Sequence, residues 1–350
     1  MNDPISPISP LSDTFPVPGT SPTSSISDAS PMPVDQIAHH GARILNEVNR
    51  AVVGMREPLT IALATILAGG HILFEDVPGV GKTLAARSLA RTLGLAFTRL
   101  QCTPDLLPAD ITGSMIFDPR TREFNFRPGP VFTGILLADE INRTGPKTQS
   151  ALLEAMAERH VSVEGVTHPL PEPFHLLATS NPVEYEGTYP LPEAQLDRFM
   201  VRLSVGYPGR SEECDILLRR VERRQEAAEV DQVVGAAEVL AMQAGVEAIG
   251  VDPDIAGYCV DLAAATRHHP NVEVGASPRG SQNLLLVARA LAALDGRTFV
   301  IPEDVKRAGV PVLAHRVMLT PAAWAEGVHA EQLVADTLSR VPGPSTVANR

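Results

Sequence analysis

Three short stretches combine residue types and spacings that could do chemistry. The first is residues 74–83, FEDVPGVGKT. A glycine-rich turn between an apolar run and a helix-forming run lets backbone N–H groups converge on phosphate, and the helix N-terminus adds its positive dipole end. Lys82 would reach the β- and γ-phosphates of a nucleotide, and the Thr83 hydroxyl would bind Mg²⁺. The candidate nucleotide-binding stretch is therefore Asp76, Val77, Pro78, Gly79, Val80, Gly81, Lys82, Thr83 and Leu84. The strict pattern GxxxxGK[ST] asks for glycine where this chain has Asp76, so the match is imperfect on its own.

The second stretch is residues 135–143, ILLADEINR. An apolar strand ending in two carboxylates suits a metal–nucleotide site. Asp139 would hold Mg²⁺, and Glu140 would orient and deprotonate an attacking water. Alone it could be a solvated strand end; about 55 residues after a phosphate loop it reads as the other half of one site. The third is residues 176–182, LLATSNP. Asn181 would stand at a neighbouring strand end and hold that water against the γ-phosphate, although Asn-Pro is also an ordinary turn initiator.

Hydrophobic patterning supplies the elements that must position these groups. Residues 36–53 read as a helix with Ile37, Ile44, Leu45 and Val48 near one face, and 59–68 as a second, very apolar helix. Strand-length apolar runs lie at 71–74, 96–100, 135–138 and 174–179, with helices at 82–93 and 146–159. Strands without polar alternation, separated by helices, indicate a parallel sheet covered on both faces. After Tyr207 the pattern changes to a charged helix over 211–230 and then to strong helix formers through Leu338. The expected organisation is an α/β nucleotide-binding domain over 34–207 and an all-helical domain over 208–342. Residues 1–33 hold eight Pro and eight Ser without any helical or strand period, which predicts a disordered tail, and 343–350 predict a shorter flexible one.

Composition narrows the function classes. Of 350 residues, 29 are Lys or Arg and 41 Asp or Glu, a formal net charge of −12. That balance, with only 4% aromatics, argues against a nucleic-acid-stacking or DNA-binding protein. The three cysteines, Cys102, Cys214 and Cys259, form no CxxC pair, which points away from a zinc site or disulfide scaffold and towards a reducing compartment. No membrane span or secretory signal is legible, so a cytoplasmic protein is expected. His39-His40 and His268-His269 are adjacent pairs that diverge on a helix and cannot share a metal.

From about Val34 to Leu338 the chain resembles the AAA+ ATPases, and among them the MoxR family. The resemblance is carried by EDVPGVGKT, DEINRTGPKTQSALLEAMAE, ATSNPVEYEGTYPLPEAQLDRF and GASPRGSQNLL. MoxR proteins commonly have Asp at the place of Asp76. The resemblance implies a P-loop sheet domain with a helix-2 insert and a pre-sensor hairpin, followed by a helical lid. It implies hydrolysis of ATP with Mg²⁺ in a cleft between sheet and lid, in a hexameric ring of identical subunits. Arg198 matches the arginine that completes a neighbouring subunit's site, and Arg279 the sensor-2 arginine that ties the lid to the nucleotide. Val53 and Gly54 fall where the family packs the adenine. Arg143 and Lys147, after the acidic pair, could face the neighbouring subunit.

The inserts are legible too. Residues 113–131 alternate around a Pro-Arg-Thr turn and 160–170 turn near Glu164-Gly165, each the pattern of a hairpin. Phe124 and Phe126 are candidates for contact with a substrate protein or for packing, and Trp324 for lid core. The partners that the resemblance implies are a von Willebrand factor A domain protein and a client enzyme complex, matured or loaded with metal. A magnesium-chelatase-like ATPase subunit is an alternative. A DNA-stimulated motor of the MCM type is another, and it would need a DNA-binding domain or more basic hairpins than Arg120, Arg122 and Arg127 provide.

Overall fold

A computed structural model describes residues 29–181, 187–224 and 228–344. Most of the predicted N-terminal tail, the last residues of the C-terminal one and Pro182 lie outside these. In chain order the strands are β1 (Ile72–Glu75), β2 (Phe97–Gln101), β3 (Gly113–Asp118), β4 (Glu123–Pro128), β5 (Ile135–Asp139), β6 (His160–Val163), β7 (Val166–Pro169), β8 (His175–Ser180), β9 (Val201–Leu203), β10 (Val272–Val274) and β11 (Met318–Leu319). The helices are α1 (Val34–Ala51), α2 (Arg56–Leu67), α3 (Lys82–Thr92), α4 (Pro108–Thr112), α5 (Pro146–Glu158), α6 (Glu193–Leu196), α7 (Arg210–Arg223), α8 (Ala236–Glu247), α9 (Pro253–Arg267), α10 (Pro278–Leu294), α11 (Pro302–Leu313), α12 (Pro321–Ala325) and α13 (Ala330–Arg340).

Five strands form one parallel sheet in the order β2-β5-β8-β1-β9. Its strands alternate between two cores. Ile72, Phe74, Ile135, Leu137 and Leu177 face one, while Leu73, Leu136, Ala138, Leu176 and Ala178 face the other. Both faces are buried, which is why the runs read as continuously apolar. The second core is closed by Leu152, Leu153 and Met156 of α5 together with Phe199.

The first core does not stop at the sheet. Leu59–Leu67 of α2 are buried all round, and the same cluster takes in Leu262, Leu284, Val287, Leu291, Val305 and Val312 of α9, α10 and α11. The helical part therefore shares one core with the sheet face instead of standing as a separate body above a cleft. Sequence periodicity could not show this, because it reports that a helix buries a face but not what it buries it against.

Three expectations are corrected. The charged helix predicted over 211–230 ends at Arg223, where Arg224 adopts a positive φ of 56°. From Ala228 the chain is irregular instead of helical: the Val233 and Val234 N–H groups donate to the Thr92 carbonyl, and Val234 enters the core. The lid is not all-helical, since β10 and β11 pair antiparallel. Trp324 is 76% exposed, because the short α12 buries Ala323 in its place. Both predicted hairpins are present as β3–β4 and β6–β7, the second turning through Glu164 and Gly165 at positive φ.

Candidate nucleotide site

Parallel pairing aligns the C-terminal strand ends: Glu75 lies opposite Ser180, and Gln101 opposite Asp139. The phosphate loop leaves β1 at this edge, with Gly79 and Gly81 at φ 85° and 92°, a backbone that β-carbons disfavour. α3 then starts at Lys82 with its N–H groups aimed at the loop.

Asp76 is the departure from the glycine pattern, and the structure gives it work inside the protein. It is 8% exposed. Its Oδ1 accepts from the Val77 N–H at 3.0 Å. Its Oδ2 accepts from the Val205 N–H, the Gly206 N–H at 2.8 Å and the Ser204 hydroxyl at 3.3 Å. The carboxylate thus pins the phosphate loop to the segment between β9 and α7. The Lys82 ammonium donates to the Asp76 carbonyl at 2.7 Å. Burial lowers the Lys82 pKa, against the opposing pull of Asp76, Asp139, Glu140 and Glu75. Those four carboxylates place both halves of the predicted site around one cation.

Asp139 is held on both sides. Its Oδ1 accepts from Thr179 Oγ1 at 2.6 Å, and its Oδ2 from Arg99 Nη2 at 2.6 Å and Nε at 3.0 Å. Glu140 has φ 59°, a strained value for a non-glycine residue, and its N–H donates to Thr179 Oγ1 at 2.8 Å. Its carboxylate Oε2 accepts from Gln101 Nε2 at 2.9 Å and from Arg143 Nη1 at 3.1 Å. Asn181 is buried at the end of β8, between β5 and β1 in the sheet. Sequence reasoning missed Arg99, Gln101 and Thr179. The available signal was the pair of polar residues two apart on β2, which share a face; their use depends on β2 pairing with β5.

A cavity of about 200 Å³ adjoins the loop. Val53, Gly54, Gly79, Gly81, Leu84 and Gly206 line it, joined by Ile216, Arg219 and Arg223 of α7. No residue of α8 to α13 lines it.

Arg198 and Arg279 are not brought here. Arg198 precedes β9, and its Nη1 donates to the Leu153 carbonyl at 2.9 Å. Two residues on, the Met200 N–H donates to the carbonyl of His71, at the start of β1. Between His71 and Asp76 the chain rises roughly 16 Å at the usual strand pitch, so Arg198 lies at the opposite edge from Lys82. Arg279 shares that edge. Burial lowers the His71 pKa most, and Arg279 is among the cations that lower it further. Ser277, the N-cap residue of α10, donates to Asp197 Oδ2 at 3.4 Å. Arg279 as a tie between the lid and its own chain's nucleotide is therefore corrected. α10 packs behind the sheet, not over the phosphate loop.

The hairpins divide the two phenylalanines. Phe124 is 65% exposed, whereas Phe126 stacks on His168 with centroids 3.9 Å apart and joins the hairpins. A cleft of about 770 Å³ between them is lined by Met115, Phe124, Ser162 and Glu164.

A Walker-type loop, an acidic strand end and the strand order β2-β5-β8-β1-β9 with a helical lid define an ATPase of the AAA class. Comparison with known proteins agrees. Residues 71–201 match the ATPase family associated with various cellular activities (AAA), and 264–337 match the AAA lid domain. The chain is 40% identical over 346 residues to Chaperone MoxR1 of Mycobacterium tuberculosis, covering 95% of this chain and 91% of that one. It is 48% identical over 302 residues to the uncharacterised protein YeaC of Bacillus subtilis, covering 86% and 94%. A crystal structure from Cytophaga hutchinsonii, of a protein proposed to be an ATPase, superposes with TM-score 0.83 at 39% identity over 89% of this chain and 97% of that one. The chain belongs to the MoxR family of AAA+ ATPases: it binds and hydrolyses ATP, in a chaperone-like role.

Proposed function

We propose that ATP hydrolysis requires two copies of the chain, one supplying the phosphate loop and the acidic pair, the next supplying Arg198 and Arg279. The observation that supports this is the separation of the two sets across the length of the sheet. Lys82 binds the β- and γ-phosphates, and Val53, Gly54 and Leu84 receive the base. Glu140, oriented by Gln101 and Arg143, takes a proton from the attacking water, while Asn181 holds that water in line. The incoming arginines meet the charge that builds on the γ-phosphoryl oxygens.

The Thr83 hydroxyl and the Asp139 carboxylate are hard oxygen donors of the kind Mg²⁺ takes, with phosphate oxygens completing its shell. Among the described residues no group of three or more His, Cys, Asp or Glu could hold a metal, so an ion here would lean on the nucleotide. Bound there, Mg²⁺ would neutralise phosphate charge. Head-to-tail contacts of this kind close into a ring, and six copies is the expected number.

The work driven by the ring is remodelling of a protein complex in the cytoplasm, with a von Willebrand factor A domain protein as partner and an enzyme complex, matured or loaded with metal, as client. The exposed Phe124 and the cleft between the hairpins support a protein-facing surface. Glu140→Gln protein, loaded with ATP in native cell extract, tests this. Recovery of such a partner with an enzyme complex supports the reading. Recovery of nucleic acid alone, or of chelatase subunits, overturns it.

A further inference from the structure

Arg316 belongs to no motif, yet it is the most deeply buried arginine beside the proposed trans-acting pair. It follows α11 and precedes β11, and its side chain is 1% exposed. Four of its six polar contacts are with one segment, residues 197–200. Nε donates to Asp197 Oδ1 at 2.8 Å, and Nη2 to the carbonyls of Asp197 at 3.0 Å and Phe199 at 2.6 Å. Nη1 donates to the Met200 carbonyl at 3.3 Å and to the Val312 carbonyl, and lies 2.7 Å from His315 Nε2. The acceptors at 197, 199 and 200 bracket Arg198.

The same guanidinium reaches the other arginine through its partner. Asp197 gives one oxygen to Arg316 and the other to the Ser277 hydroxyl. Two residues on is Arg279, in the first turn of α10. That turn packs directly on the Arg316 stem, since a β-carbon at Gly280 would sit 3.2 Å from Arg316 Cδ. β10, which leads into α10, pairs with β11, which follows Arg316. Burial pulls the Arg316 pKa down to about 10, with Asp197 opposing and Arg279 adding to the fall. The group stays charged at neutral pH, and its charge is answered by Asp197.

We infer that Arg316 is a positioning residue: it clamps residues 197–200 and the start of α10 into one block, so that Arg198 and Arg279 are presented together to a neighbouring subunit's nucleotide. It touches no nucleotide itself. A lysine keeps the charge but not the planar fork, and cannot reach the same set of acceptors. The inference rests on the reading that Arg198 acts between copies.

The test compares Arg316→Lys with Arg198→Ala, each alone, combined, and mixed with Lys82→Ala protein. A displacement of about 1 Å at a group that stabilises the transition state costs on the order of 10²-fold. Arg316→Lys is therefore expected to lower kcat about 10²-fold while KM for ATP changes less than about twofold, since its own phosphate loop is intact. Adding Arg316→Lys to Arg198→Ala should lower kcat by no more than a small further factor, from Arg279. Mixing Arg316→Lys with Lys82→Ala should raise activity above either alone, because each supplies what the other lacks.

Rescue of Arg198→Ala by Lys82→Ala without rescue of Arg316→Lys overturns the clamp and leaves the shared site standing. Failure of both rescues overturns the shared site itself. Full multiplicative losses in the double variant mean a general structural role and also overturn the clamp. If Arg316→Lys does not fold, Asp197→Asn weakens the same clamp from the other side. It should show a smaller kcat loss of about tenfold, with KM unchanged, and the same rescue; normal kcat in folded Asp197→Asn overturns the inference.

Discussion

Replacing Asp76 by Asn changes one buried carboxylate and isolates what a departure from the glycine pattern does. The carboxylate accepts four hydrogen bonds, from the N–H groups of Val77, Val205 and Gly206 and the Ser204 hydroxyl. An amide has one acceptor oxygen. Turned towards Val205 and Gly206, it sets its NH₂ against the Val77 N–H; turned the other way, it opposes two backbone donors. The better choice still leaves one buried donor unpaired, at about 1–3 kcal/mol. If that energy holds the phosphate loop in its binding form, the Kd for ATP rises by up to roughly 5- to 150-fold. Asp76→Gly restores the strict motif yet strands all four donors, and is expected to weaken binding further. The assay is titration with a fluorescent ATP analogue in a Glu140→Gln background, which separates binding from turnover, with Tm measured alongside. A Kd within twofold of the parent and an unchanged Tm in Asp76→Gly would refute the reasoning: the carboxylate would then be holding nothing.

Other outcomes follow from the same structure. Lys82→Ala should abolish nucleotide binding, whereas Glu140→Gln should bind ATP and release no phosphate; normal turnover in the latter would remove Glu140 as the base. His175 is pulled down to about 4, chiefly by burial and against its bond to the Gly70 carbonyl. Burial likewise holds His71 and His315 well below their ordinary range. An unfolded histidine titrates near 6.5, so below that pH the unfolded chain takes up protons the folded one refuses. For His175 stability is then lost as pH falls from 6.5 towards 4, by about 1.4 kcal/mol per unit, and His71 and His315 add to the loss in the same direction. A urea midpoint that does not fall between pH 7.5 and 5.5 would contradict this. Burial pushes the Cys102 and Cys259 thiols up to about 12, while Cys214 is exposed on α7. One thiol per native chain should react with a disulfide reagent near neutral pH, and it should map to Cys214.

Much of the fold could be read directly. The apolar runs of β1, β5 and β8 are buried on both faces, and that burial is what makes them recognisable without knowing the strand order. The phosphate loop and the Asp139–Glu140 pair are local patterns at strand ends, so one stretch of chain carries each. Arg99, Gln101 and Thr179 act only because β2 and β8 flank β5, and strand order is not written in any of the three segments. Arg316 depends on still longer range, since its acceptors on residues 197–200 lie more than a hundred positions earlier. Strong helix formers after Tyr207 marked a helical domain but not its place behind the sheet, and the expectation that Arg279 ties the lid to the nucleotide came from the family resemblance alone. Asp76 was visible as an anomaly, yet its partners at 204–206 follow from β1 pairing with β9.

The central claim is that the catalytic set is split between copies. The direct measurement is ATPase rate per chain across a dilution series, with the molar mass of each sample determined by light scattering. Activity per chain is expected to follow the assembled fraction and to vanish in the monomer. Full turnover by a species with the mass of one chain would contradict it.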